Sequence, residues 1–136
     1  MTRRDAREEL FRTVFEMSFK TAEELDETLG YAREERMIDD EYIFTSLVGI
    51  YDNIEYIDAR ISENAKSWKV ERISKASMSA MRVAVYEMLY ASLNYRIAIN
   101  EAVELVKKYD DEKAPKFVNG ILNKIAEAEG LKTANE

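Results

Sequence analysis

The chain has 136 residues, 46% of them hydrophobic and 35% charged, with a formal net charge of −7. The absence of cysteine and histidine excludes disulfides, thiolate or imidazole metal sites, cysteine nucleophiles and Ser-His-Asp triads. Four glycines and one proline point to helices joined by short connections, so a single all-α domain spanning 1–136 is expected.

From Arg4 to Lys20, Ala6, Leu10, Phe11, Val14, Phe15 and Phe19 form a helical stripe. Arg3, Arg4 and Arg7 crowd its first turns, where cations oppose the helix macrodipole by a few tenths of a kcal/mol each. Two readings stand for them: a solvated face partly neutralised by Asp5, Glu8 and Glu9, or a contact surface for an anionic partner. Thr21-Ala22-Glu23-Glu24 fits a capping box, and a second helix follows with Ala22, Leu25, Leu29 and Ala32 inward. Asp39-Asp40-Glu41 opens a third, long helix in which Ile43, Leu47, Ile50, Ile54, Ile57 and Ile61 repeat by fours and threes, through about Ala65.

Trp68 through Ile73 reads as a short helix or turn with those two residues partly buried. Ser77 is placed as the cap of a fourth long helix carrying Met78, Met81, Val85, Met88 and Leu89, with the methionines as core filler. Arg82 lies beside that stripe, with Glu87 about a turn and a half along. It reads as a structural ion pair or tyrosine hydrogen bond joining two halves of the bundle. Ser92-Leu93-Asn94-Tyr95 has turn composition, and Ile97, Ile99, Ala102, Leu105 and Val106 lead into a fifth helix ending near Tyr109.

Asp110-Asp111-Glu112 offers caps for a last helix, which Pro115 starts, Phe117, Val118, Ile121, Leu122, Ile125 and Ala126 line, and Gly130 closes. Asn119 and Gly120 sit inside it although both are poor helix formers, glycine by about 1 kcal/mol relative to alanine. Close backbone packing and a hydrogen bond to a neighbouring segment are expected to compensate. The whole reads as a helical bundle of about six to seven helices in two packed halves.

Charge is unevenly spread: residues 1–20 carry +1, residues 21–65 carry −10 and residues 66–136 carry +2. The opening residues lack the apolar run of a signal peptide, and no apolar segment reaches the length of about 18 residues that spans a bilayer, so a cytoplasmic protein without membrane contact is expected. Paired carboxylates such as Glu23/Glu24 and Glu34/Glu35 fall on exposed faces, and there is no Gly-rich phosphate loop, so no catalytic residue, metal or cofactor is assigned. If the first and last helices are neighbours, the N-terminal arginines meet Lys113 and Lys116 on one surface, with Phe117 as an aromatic face. Cations beside a ring are what single-stranded RNA needs for phosphate contact and base stacking.

Four stretches together resemble the NusB-type transcription antitermination factors: Arg3-Arg4 with Ala6-Arg7; Met81 to Met88; Ile97-Ala98-Ile99-Asn100-Glu101-Ala102-Val103-Glu104-Leu105; and Lys116-Phe117-Val118-Asn119-Gly120-Ile121-Leu122. The resemblance runs nearly end to end. It implies a non-enzymatic, all-helical protein that binds single-stranded boxA RNA of ribosomal RNA leaders together with NusE, a small-subunit ribosomal protein. It also implies a place in the RNA polymerase antitermination complex. By the same resemblance Arg3, Arg4, Arg7, Lys116 and Phe117 meet RNA, and Phe15 and Phe19 face the protein partner. Two other readings are a non-catalytic RNA-binding accessory module of ribosomal RNA modification and a protein–protein adaptor using the acidic segment 21–65.

Overall fold

The computed structural model describes residues 1–35, 40–65 and 72–132, which form helices and connections without a strand among them. In chain order these are α1 (Arg3–Met17), α2 (Ala22–Glu35), α3 (Glu41–Asp52), α4 (Ile54–Asn64), α5 (Lys75–Tyr90), α6 (Tyr95–Tyr109) and α7 (Ala114–Ala128). Among the described residues no helix is long and apolar enough to cross a membrane.

The centre is α5. Its Ala76, Ser77, Ser79, Ala80, Met81, Val83, Ala84, Val85, Tyr86, Glu87 and Met88 are all buried, the pattern of a helix covered on every side. Small residues on its first turns let neighbours approach, and α1, α3, α4, α6 and α7 all pack on it. The two halves meet on this shared helix, and their buried side chains form one continuous cluster. Helix α7 contributes Val118, Ile121, Leu122, Ile125 and Ala126, each at most 2% exposed.

The expected long third helix is broken into α3 and α4 at Asn53. That residue leaves the helical region (φ −119°, ψ 18°), and its side-chain Nδ2 donates to the Gly49 carbonyl at 2.8 Å. An asparagine amide competing for a backbone carbonyl is a local mechanism for a kink. The apolar period survives because Ile50 and Ile57 flank the break on the buried side. Gly49 is needed for another reason: a Cβ there would lie 2.3 Å from Cε1 of Tyr86, so the tyrosine ring packs directly on the backbone.

Helix α5 starts at Lys75, with Ser74 as its cap; Ser74 Oγ accepts from the Ser77 amide at 3.0 Å. Ser77, expected as the cap, instead donates from Oγ to Asp110 at 2.6 Å, tying the end of α6 to the start of α5. Ile73 is half-buried, while Trp68 lies outside the described residues. Asp111 caps α7 by accepting from the amides of Lys113 and Ala114. At the other end Gly130 takes φ +72°, and the Leu131 amide donates to Ala126 O at 2.9 Å, a glycine-closed helix end.

Helix α2 is set apart. It takes no part in the closest helix–helix packings among the described residues. Leu29 is its buried anchor, Leu25 is half-buried, and Arg33 pairs with Asp52 of α3 at 2.5 Å.

Candidate nucleic-acid interface

Lys113, Lys116 and Lys124 place exposed positive charge at the start and along the length of α7. A groove of about 590 Å³ is lined by Asn64 at the end of α4, by Glu112, and by Lys113, Lys116, Phe117, Gly120, Ile121 and Lys124. None of the three lysines has an ion-pair partner among the described residues. Phe117 is half-buried between them, one edge on the core. The Asp111 carboxylate accepts from the amides of Lys113 and Ala114 at the start of α7. Lys124 was not singled out from the sequence; its spacing of eight from Lys116 was the available signal.

The N-terminal arginines have three different environments. Arg3 is exposed, with its guanidinium 4.0 Å from the centre of the Tyr42 ring on α3. Arg4 is exposed but donates from Nε and Nη2 to Glu101 of α6 at 3.0–3.3 Å. Arg7, expected at the RNA surface, is only 6% exposed. Its Nε donates to Glu87 Oε1 at 2.6 Å and its Nη2 to Oε2 at 3.1 Å, so its charge is held inside the bundle. Burial pulls its pKa down, but Glu87 and the neighbouring groups outweigh that and leave it raised.

Arg82 is an ion pair as expected, but its partner is Asp58 of α4, bidentate at 2.9 Å for both bonds. Glu87 instead serves Arg7 and also accepts from the Tyr42 hydroxyl at 3.2 Å.

The expected adjacency of first and last helices is not found. Helix α7 packs on α4, α5 and α6, and α1 on α3 and α5. Between α1 and α6 runs a groove of about 420 Å³ that leads from Arg4 towards Lys107 and Lys108. Its cations are largely neutralised: Arg4 by Glu101, Lys108 by Glu8 at 2.8 Å, and Lys107 by Glu104 at 3.2 Å. The hydrogen bond from Lys108 holds the Glu8 carboxyl below its usual pKa.

Phe15 and Phe19 form a separate aromatic corner, ring centres 5.1 Å apart and edge to face. Phe19 is 63% exposed just past the end of α1, and Lys75 Nζ stands 5.2 Å from its ring.

Among the described residues, seven helices with α5 buried at their centre, and a lysine-ringed aromatic groove at the surface, define a helical binding module. The sequence model of the NusB family matches residues 4–127. The chain belongs to the NusB family; the family's activity is transcription antitermination, and the protein is not an enzyme. Transcription antitermination protein NusB of Clostridium botulinum (strain Alaska E43 / Type E3) is 40% identical over 131 residues, covering 92% of this chain and 98% of its own. The Clostridium acetobutylicum protein of the same name is 36% identical over 129 residues, covering 92% and 95%. T. maritima NusB shares the fold at a TM-score of 0.75 with 30% identity, over 93% of this chain and 92% of its own. A crystal structure of antitermination factors NusB and NusE in complex with dsRNA is similar at a TM-score of 0.72 and 28% identity, over 93% and 96%.

Proposed function

We propose that this protein is a cytoplasmic antitermination factor that binds single-stranded boxA RNA of ribosomal RNA leader transcripts together with NusE, within the antitermination complex on RNA polymerase. The observation that carries the reading is the α7 groove. On a chain of net charge −7, three lysines without carboxylate partners among the described residues surround one aromatic ring. Unstacked bases and their phosphates are the ligand for which that pairing is suited. Membership of the NusB family, and the likeness to a NusB–NusE structure with RNA, support the same partner classes.

In this reading Lys116 and Phe117, with Lys113 and Lys124, hold the RNA at α7, while Arg3 and Arg4 offer a second contact at the start of α1. Arg7 has a structural part in supporting them. Phe15 and Phe19 are the partner surface for NusE. The test is a titration of fluorescently labelled boxA RNA in the presence of NusE. Phe117→Ala is expected to weaken binding by about 1–3 kcal/mol, the range for losing one stacking ring. Equal affinity for boxA and scrambled RNA would refute sequence-specific binding, and an unchanged Phe117→Ala variant would remove the groove from the interface.

A further inference from the structure

Asn119 and Gly120 lack the packing that their place in a helix led us to expect. Both are exposed, and a Cβ built on Gly120 meets nothing within 4 Å. Two poor helix formers therefore stand on an open face without an intramolecular contact that requires them. Asn123 follows one turn later, with its Nδ2 donating to Asn119 O at 2.9 Å and approaching Asn119 Oδ1 at 3.3 Å. That leaves the Asn119 amide nitrogen and the Asn123 amide oxygen without a hydrogen bond among the described residues.

Across from them on α6 is Asn100, exposed and also without a hydrogen bond from its side chain among the described residues. Asn100, Asn119 and Asn123 line a groove of about 250 Å³ between α6 and α7, with Tyr95, Arg96, Ile99 and Val103. No carboxylate lines it, on a chain holding 27 Asp and Glu. Arg96 and Lys132 stand 5.5 and 5.7 Å from the Tyr95 ring, giving that end a cationic rim. Lys116 lies one turn before Asn119 on α7. Gly120, next to Asn119, also lines the groove at Phe117.

We propose that the α6–α7 groove is a second nucleotide subsite, in which the amides of Asn100, Asn119 and Asn123 read a base edge of single-stranded RNA whose backbone crosses α7 at Gly120. The inference rests on the RNA reading above and extends it from stacking to base recognition. A carboxamide presents a donor and an acceptor side by side, the pattern that pairs with a base edge. RNA offers such edges where its bases are unstacked. Glycine at the crossing lets a ligand backbone approach the helix more closely than any side chain would.

The test uses substitutions that stability and binding move in opposite directions. Gly120→Ala, Asn119→Ala and Asn123→Ala each put the best helix former on an open face, so each is expected to raise the thermal midpoint. Each is also expected to weaken labelled boxA RNA, measured with NusE present, about fivefold. Lys116→Ala and Phe117→Ala are measured alongside. If those two weaken RNA binding and the Gly120 and asparagine variants do not, the subsite is overturned while the RNA reading stands. If none of the five changes RNA binding, both fall. Weakened NusE binding without RNA, at unchanged RNA affinity, would make the groove a protein contact and overturn the proposal.

Discussion

Glu87 receives three donors, Arg7 Nε, Arg7 Nη2 and the Tyr42 hydroxyl, in a place where neither charged side chain reaches much solvent. Burial first, and then the Glu87 charge, raise the Tyr42 pKa, so the phenol stays a neutral donor. Removing one partner from such a set leaves the other charge buried and alone, which costs about 3–5 kcal/mol. Arg7→Ala is therefore expected to lose stability on that scale in urea denaturation, whereas Arg7→Met with Glu87→Leu should recover most of it. A loss under about 1 kcal/mol for Arg7→Ala would return that arginine to the list of surface ligands. From sequence alone Arg7 was indistinguishable from Arg3 and Arg4, because its acceptor lies 80 residues away.

At the level of elements, the junction of α5 and α6 depends on Asp110. Burial pushes its carboxyl pKa up, but the hydroxyls of Ser74 and Ser77 and the Asp111 amide outweigh that and bring it below the ordinary value of 3.8. A depressed carboxyl stabilises the fold above the unfolded pKa and loses that contribution as pH falls through the folded one. Asp110→Asn is expected to cost about 1 kcal/mol at pH 6, and the difference from the parent should shrink below about pH 4. Urea midpoints across that range measure it; a constant difference would exclude the carboxylate as the cause. Apolar spacing was sufficient to find most helices, because α6 and α7 each bury a single stripe. It failed at Asn53, where the period continues through a break made by one side-chain amide. It also put the α5 cap at Ser77, since Ser74 and Ser77 offer the same chemistry and only the position of Asp110 separates them.

Over the whole molecule, a net charge of −7 repels a polyanion at long range, and most exposed arginines near α1 are already paired or stacked. In the proposed function, binding to RNA depends on the lysines at α7 and on the partner protein. The complex with NusE is expected to bind boxA RNA more tightly than either protein alone, with affinity falling as salt rises. Each of Lys113, Lys116 and Lys124 that meets a phosphate should contribute about 0.7 to the slope of log affinity against log salt, so a lysine-to-alanine series in filter binding counts the contacts. That Lys116 and Phe117 share one groove was legible because one short motif holds both. The third dimension was not: helical spacing places residues on a face but does not say which helix lies opposite, and α1 does not lie against α7.

The slender attachment of α2 predicts a part of the molecule that opens by itself. With one buried leucine and one surface ion pair as its main ties, α2 should lose little on detaching, whereas α5 should open only when the bundle does. Amide hydrogen exchange is expected to show α2 trading its protons at a free-energy cost well under that of global unfolding, with α5 at the global limit. Equal protection of the two helices would mean they open as one unit. Limited proteolysis should likewise cut within α2 first and leave the helices around α5 assembled.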